Sequence, residues 1–285
     1  MNNFVKRTIS GLGFAAIMLA AFLTNKYIFG AVMLFCLVVM MHEFLRMTCG
    51  KDYRYSQILS ILSGATLFTL VYCYKAFDFP GRLIILSFLP VFILMVNSLY
   101  VKDKSRFDKF ANLYTAILYI AVPWSVLNFA VFSPEGVFGG KLLLCFFCII
   151  WGSDVGAYLF GITLGQKYGK KLFPSISPKK SWIGFWGGML VAVGVAIALY
   201  AMDFFPQFSS DHTTNVCNYA AMAVMLHVTG VYGDLIESQW KRHYNVKDSG
   251  NTIPGHGGFL DRFDSALVAI PIGVIYLVVA DVLPL

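Results

Sequence analysis

Residues 238–264 read SQWKRHYNVKDSGNTIPGHGGFLDRFD, a charged, glycine-rich run between apolar stretches at 216–237 and 262–282. Each flanking stretch is long enough to cross a bilayer as a helix, which needs about 20 apolar residues. Basic residues and carboxylates share the run, and its Pro-Gly-His-Gly-Gly turn bares backbone N–H groups just before the next helix. Such a mixture is typical of a site that binds phosphate groups together with metal ions.

The composition predicts an integral membrane protein. Hydrophobic residues make up 58% of the chain and charged residues 13%, whereas about 25% of the residues in a soluble domain are charged. The predicted spans are 9–24, 27–45, 57–75, 82–100, 112–132, 139–162, 183–205, 216–237 and 262–282. We therefore expect an all-α, polytopic membrane protein with about nine transmembrane helices. Residues 1–285 are expected to form a single membrane domain, with its catalytic half at about 139–282.

The distribution of basic residues predicts the orientation in the membrane. Nine alternating spans that start from a cytoplasmic N-terminus place 18 of the 22 Lys and Arg residues in cytoplasmic segments. This predicts an N-in/C-out protein of the inner (plasma) membrane, with cytoplasmic loops at 101–111, 163–182 and 238–261 and an active site facing the cytoplasm. Nucleic acid is not an expected partner, because the cations are spread over five short segments.

Four aspartates at the ends of predicted spans are the candidate metal ligands. Ionisable groups in hydrocarbon cost at least ~2.5 kcal/mol, so we expect Asp154 and Asp234 to face a polar interior rather than lipid. Asp261 and Asp264 begin the ninth span, three residues apart and hence on one helical face. Carboxylates that converge at one depth repel one another unless cations lie between them, and Mg²⁺ prefers such oxygen ligands. The alternative is that Asp261 and Asp264 only cap the ninth helix.

Other polar residues near the span ends have competing interpretations. Glu237 either belongs to the site or pairs with Lys241, which lies four residues later on the same helical face. His256 is a general base, a phosphate contact or only a turn residue between glycines. His42 and Glu43 are interpreted as a pair at the membrane interface rather than as ligands.

Two features of the sixth and eighth spans predict helix packing. Gly156 and Gly161, which follow Asp154, are expected to let another helix approach closely. His227, inside the eighth span, is interpreted as a buried, hydrogen-bonded histidine.

These segments resemble the phosphatidate cytidylyltransferases (CDP-diacylglycerol synthases). The family signature runs S-x-x-K-R, four residues, K-D, and then P-G-H-G-G-x-x-D-R-x-D. This chain keeps every spacing, with Ser238, Lys241, Arg242, Lys247, Asp248, Pro254, Gly255, His256, Gly257, Gly258, Asp261, Arg262 and Asp264. The patterns D-x-x-A-Y-x-x-G at 154–161 and S-P-K-K-[ST]-W-x-G at 177–184 also match. The resemblance covers about residues 150–270, and Trp240 and Ile183 depart from it.

The resemblance implies that CTP and phosphatidate react to give CDP-diacylglycerol and pyrophosphate in phospholipid biosynthesis. It implies Mg²⁺, with a second cation left open, held by the four aspartates Asp154, Asp234, Asp261 and Asp264. The catalytic residues that it implies are Asp234, Asp261, Asp264, Lys241 and Arg242. The substrate-binding residues that it implies are Lys179, Lys180, Ser238, Lys247, His256, Gly257, Gly258 and Arg262. The expected partners are CTP, phosphatidate and the bilayer, and a homodimer is one alternative for the oligomeric state.

Two other functions stay open. A CTP-dependent polyprenol or phytol kinase shares the membrane carboxylates and CTP but lacks the full signature. A cation transporter could use Asp154 and Asp234 along an ion path, but the Gly-His-Gly-Gly turn has no role in it. Release of pyrophosphate from CTP only when lipid is present separates both alternatives from the cytidylyltransferase.

Overall fold

The computed structural model describes residues 3–102, 104, 107–205, 210–255 and 257–283. His256, one of the predicted site residues, lies outside the described residues. Within them the chain forms eleven α-helices, which are α1 (Asn3–Leu23), α2 (Lys26–Cys49), α3 (Arg54–Phe77), α4 (Phe88–Tyr100), α5 (Ala111–Ala116), α6 (Val122–Val131), α7 (Lys141–Phe160), α8 (Gln166–Tyr168), α9 (Trp182–Ala201), α10 (His212–His243) and α11 (Asp264–Val279). Two short antiparallel strands, β1 (Lys171–Phe173) and β2 (Ser177–Ser181), form a hairpin.

Segments of 3₁₀-helix and π-helix adjoin several of these α-helices. Three 3₁₀ segments lie at Gly81–Ser87, Phe107–Phe110 and Leu260–Arg262 in the described chain. Two π-helical segments lie at Ile117–Ala121 and Gly161–Gly165, and the second of these continues α7. π-Helical turns often occur at functional sites.

The all-α, polytopic architecture predicted from the sequence is confirmed. Seven helical segments of the described chain are long and apolar enough to cross a membrane, namely Lys26–Cys49, Arg54–Phe77, Gly81–Tyr100, Phe107–Val131, Lys141–Tyr168, Trp182–Ala201 and His212–His243. Two shorter apolar helices, Thr8–Leu23 and Asp264–Val279, coincide with the predicted first and ninth spans. The count of nine crossings and the N-in/C-out orientation depend on these two helices and stay predictions.

The chain divides into two compact units. The first comprises Met1–Asn128, Phe132–Gly139 and Tyr244–Phe263. In its core, the fully buried Trp124 donates its indole N–H to the Met33 carbonyl at 2.8 Å. The Phe263 ring packs edge-on against Trp124, with 4.9 Å between the ring centroids. Residues 244–263, which carry most of the glycine-rich run, therefore fold with helices of the N-terminal half.

The second unit comprises Phe129–Val131, Gly140–His243 and Asp264–Leu285. Here α7 packs along α9, while α10 packs against both α9 and α11. A Cβ built on Gly156 would lie 2.7 Å from the Val191 side chain of α9, so the predicted close helix approach is confirmed. His227 is 1% exposed and its Nδ1 lies 2.6 Å from Ser153 Oγ, as expected for a buried, hydrogen-bonded histidine.

Candidate active site

The second unit contains a cavity of about 540 Å³. Its lining residues come from α7 and the π turn, from the hairpin and the start of α9, and from α10. They are Asp154, Ala157, Tyr158, Gly161, Ile162, Gln166, Leu172, Lys179, Lys180, Ser181, Gly184, Phe185, Val231 and Asp234. Three segments that are separated in the sequence thus meet around one space, and charged side chains of both signs line it.

The α7 wall of the cavity belongs to the first of these segments. Asp154 and Tyr158 are one helical turn apart, and both line the cavity together with Lys179, Lys180 and Asp234. The wall continues through Gly161, where α7 changes to the π turn. A Cβ built on Gly184 of α9 would lie 2.8 Å from the Ala157 carbonyl, so only a glycine lets α9 approach this closely.

The hairpin β1–β2 delivers the two lysines of the second segment. Ser181 ends β2 and caps α9, because its Oγ accepts a hydrogen bond from Gly184 N at 3.1 Å. Gln166 Nε2 donates to the Lys179 carbonyl at 2.7 Å and fixes the strand that carries both lysines. Arg242 Nε of α10 donates to the Ile176 carbonyl at 3.3 Å, which ties the hairpin turn to α10.

Asp234 is held from two sides. Lys180 Nζ lies 2.6 Å from Asp234 Oδ2, and both side chains are about one-third exposed or less. Ser238, one turn later in α10, donates its hydroxyl to Asp234 Oδ1 at 3.1 Å. The structure thus joins a predicted metal ligand with a predicted substrate-binding lysine in one ion pair.

Asp264 begins α11 in the same unit. The Asp264 carboxylate interacts electrostatically with Asp234, Asp154 and Lys241. Three of the four predicted metal ligands therefore belong to one charged group. Asp264 Oδ1 also accepts a hydrogen bond from Ser265 N at 2.6 Å, at the first turn of the helix. Helix capping and membership of the charged group are therefore compatible roles.

Of the two alternatives left open for Glu237, the structure shows the ion pair with Lys241. Lys241 Nζ forms an ion pair with Glu237 Oε2 across one turn of α10, and Glu237 is fully buried. A buried carboxylate needs such a partner, because an uncompensated charge in a low-dielectric interior is strongly destabilising. Lys241, a predicted phosphate contact, is thus placed by an acid on its own helix.

Asp261 belongs to the first unit, where it organises the glycine-rich run. Its Oδ2 accepts hydrogen bonds from Ser249 N at 3.0 Å, Ser249 Oγ at 3.0 Å and Gly258 N at 2.8 Å. Gly257 has a backbone φ of 86°, which residues with a side chain rarely adopt. The Gly258 N–H, predicted to face a phosphate, is donated to Asp261 in this structure.

The remaining predicted residues of the run lie at the surface of the first unit. Lys247 and Arg262 are exposed, as is Asp248, so their side chains are accessible to solvent or to ligands. Among the residues that the structure describes, no group of three His, Cys, Asp or Glu side chains has the spacing of a metal-binding cluster.

The structure identifies a functional candidate that the sequence interpretation missed. Glu43 is 3% exposed and accepts hydrogen bonds from three residues of the run, Ser249, Thr252 and Leu260. The prediction of a His42–Glu43 pair at the interface is wrong for Glu43, because its carboxylate is buried by a segment more than 200 residues away. His42 is exposed.

Comparison with known proteins gives a consistent result. The profile of the cytidylyltransferase family matches residues 5–280. A protein of Staphylococcus haemolyticus named phosphatidate cytidylyltransferase is 32% identical over 213 residues, which are 74% of this chain and 76% of that protein. Proteins of the same name from Staphylococcus epidermidis and Staphylococcus aureus are 36% and 38% identical over 178 and 179 residues. These two alignments span 62% of this chain and 64% of each relative.

Proposed function

The chain belongs to the cytidylyltransferase family, and we propose that it is a phosphatidate cytidylyltransferase, converting CTP and phosphatidate into CDP-diacylglycerol and pyrophosphate. The observation that carries the proposal is the cavity of the second unit. There Asp154, Asp234 and the two hairpin lysines Lys179 and Lys180 face one space within a membrane protein. A lipid phosphate and a nucleoside triphosphate both require cationic side chains such as these.

The chemistry needs no group that creates a nucleophile. The phosphate oxygen of phosphatidate is already an anion, and it attacks the α-phosphorus of CTP. The bond from that phosphorus to the oxygen bridging to the β-phosphate breaks, and the electron pair leaves with pyrophosphate. The main barrier is the repulsion between two polyanions, which positioning and fixed positive charge reduce.

The hairpin lysines provide positive charge inside the cavity. Lys180 is bound to Asp234, but its ammonium group has three N–H donors and can contact a phosphate while keeping that carboxylate. Arg242 donates its Nε to the Ile176 carbonyl, and a guanidinium group is well suited to binding phosphate. Lys241 forms an ion pair with Glu237. Its positive charge also acts on the Asp264 carboxylate.

The carboxylates fit a magnesium ion by their chemistry. Asp154, Asp234 and Asp264 are hard oxygen donors, and the negative charges of Asp234 and Asp154 act on Asp264. We propose that these three residues hold Mg²⁺, while Asp261, the fourth ligand that the resemblance implies, belongs to the first unit and stays a prediction. The ion would supply charge neutralisation for the CTP phosphates and for pyrophosphate.

The proposed setting is the inner membrane, with the cavity open to the cytoplasm. The support is the placement of 18 of the 22 Lys and Arg residues in segments that alternate to the cytoplasmic side. CTP is made in that compartment. A homodimer also stays a proposal, and light scattering of the detergent-solubilised protein tests it.

Lipid-dependent release of pyrophosphate by the purified protein tests the proposed function. With CTP and Mg²⁺, we expect pyrophosphate only when phosphatidate is present and not with diacylglycerol, which lacks the attacking phosphate. CDP instead of pyrophosphate would indicate a lipid kinase. No consumption of CTP under any lipid condition would contradict the proposal.

A further inference from the structure

Glu43 occupies an unusual position for a residue outside the signature. It lies near the C-terminal end of α2, and its carboxylate accepts its hydrogen bonds, within the part of the chain that the structure describes, from the run 249–260. Oε2 accepts from Leu260 N at 2.9 Å and from Ser249 Oγ at 3.2 Å, while Oε1 accepts from the Thr252 hydroxyl. Three donors from one segment thus converge on one buried acid.

The backbone of the run is shaped to this carboxylate. A Cβ built on Gly250 would lie 2.6 Å from Glu43 Oε1, and one built on Gly258 would lie 2.7 Å from Glu43 Oε2. Neither distance leaves room for a side chain. A Cβ on Gly258 would also lie 2.0 Å from Ser249 Oγ and 2.6 Å from Gly250 N, so this glycine of the family signature permits close packing both within the run and against Glu43.

Ser249 connects Glu43 with Asp261. The Ser249 hydroxyl lies 3.2 Å from Glu43 and 3.0 Å from Asp261 Oδ2, and its single proton can serve only one carboxylate at a time. Asp261 is also held by Ser249 N and Gly258 N, two backbone groups that flank the Glu43 contacts. A displacement of the run from Glu43 would therefore move the groups that hold Asp261.

We propose that Glu43 is a positioning residue for the reaction. It fixes the backbone of residues 249–260 and, through Ser249, the Asp261 carboxylate, and it does not contact the substrates itself. The inference rests on the proposed function for its catalytic consequence, but not for its structural part. It also gives the N-terminal half of the chain, which lacks the family motifs, a defined role in the reaction.

Hydrogen exchange measures the structural part directly. In Glu43→Ala the Leu260 N–H and two hydroxyls lose a buried acceptor, so we expect faster amide exchange across 249–260 and unchanged exchange in α9 and α10. In Glu43→Gln the exchange rates across 249–260 should lie between those of Glu43→Ala and of the wild type. Its amide oxygen still accepts from Leu260 N, and the Thr252 hydroxyl can accept from its NH₂ group. His42→Ala, an exposed neighbour on α2, is the control and should exchange like wild type.

Steady-state kinetics measure the catalytic part. We expect Glu43→Ala to lower kcat by roughly 10- to 100-fold, the range for a buried donor left without its acceptor, with a far smaller change in the KM for phosphatidate. Glu43→Gln should recover most of the loss. Equal decreases of kcat in the Gln and Ala variants would overturn the positioning role. A decrease of kcat that is explained by a lower Tm would overturn it as well.

A second variant covers the case in which Glu43→Ala does not fold. Ser249→Ala with Thr252→Val removes two of the three donors and leaves α2 intact, and it should reproduce both the faster exchange and the lower kcat. Wild-type exchange in this variant would overturn the inference. Failure of the wild-type protein to release pyrophosphate would instead refute the proposed function, and the exchange result would still decide whether Glu43 holds the run.

Discussion

Lys180 and Asp234 show how one contact can serve two purposes. In the absence of substrate, a lysine neutralises a carboxylate that would otherwise face Asp154 and Asp264. In the proposed function, the same ammonium group contacts a phosphate of the bound substrates. The pair is about one-third exposed or less, so solvent weakens the interaction, and its importance lies in placement rather than in stability.

Lys180→Met keeps the length of the side chain and removes its charge. We expect kcat/KM to fall by about 10- to 100-fold, as is typical for the loss of a charge-assisted phosphate contact. Lys170→Met is the matched control, since Lys170 is exposed next to the hairpin and does not line the cavity. Equal activities of the two variants would remove Lys180 from the site.

Asp264→Asn separates metal binding from helix capping. Asparagine caps helices as well as aspartate does, so the variant should fold with an unchanged Tm. Turnover should fall more than about tenfold, because losing an ionic ligand costs more than 1.4 kcal/mol at the transition state. Asp281→Asn is the control, since this exposed residue has a φ of 55° that asparagine tolerates. Full activity of Asp264→Asn would favour the capping interpretation.

A partner can be named from the sequence most directly where the two residues are close along the chain. Glu237 and Lys241 are four residues apart on one helix, so their ion pair follows from helical geometry. Glu43 could not be assigned in this way, because its partners are 206 to 217 residues away and nothing near it in the sequence signals them. Gln166, which fixes the Lys179 strand, was also missed, because its partner is a backbone carbonyl and no side-chain pattern in the sequence signals such a contact.

At the scale of elements, the hydropathy pattern was enough to locate the helices but not the hairpin. Every predicted span falls on an apolar helix, since burial in lipid needs a long run of apolar residues. The segment 163–182 was predicted only as a basic loop. Its strands are three and five residues long, and a hydrogen bond from Arg242 in a distant helix holds their turn.

The packing of α7 against α9 positions Asp154 relative to the hairpin lysines. Gly156→Leu should therefore destabilise the protein by about 1–3 kcal/mol and lower activity, because its side chain would overlap Val191 and the Gly187 carbonyl. Gly194→Ala in α9 is the control, since a Cβ there meets no described atom within 4 Å. Thermal unfolding in detergent measures both variants. A fully stable Gly156→Leu would contradict the close approach.

For the whole molecule, the distribution of basic residues makes a topological prediction. Single cysteines at Lys104 and Lys247, in a background without the six native cysteines, should react with impermeant thiol reagents only from the cytoplasmic side. A cysteine at Ser210 should react only from outside. Lys247 and Ser210 are exposed, so either result reports sidedness rather than burial. Labelling of Lys104 and Lys247 from opposite sides would contradict nine alternating spans.

The central claim is that this membrane protein transfers CMP from CTP to a lipid phosphate. Phosphorus labels on CTP test it most directly in the purified protein with phosphatidate and Mg²⁺. The account predicts that an α-phosphorus label enters the lipid product while a γ-phosphorus label leaves in pyrophosphate, and that neither occurs in Lys180→Met at the wild-type rate. Entry of the γ label into lipid, or of neither label with the wild-type protein, would contradict the account.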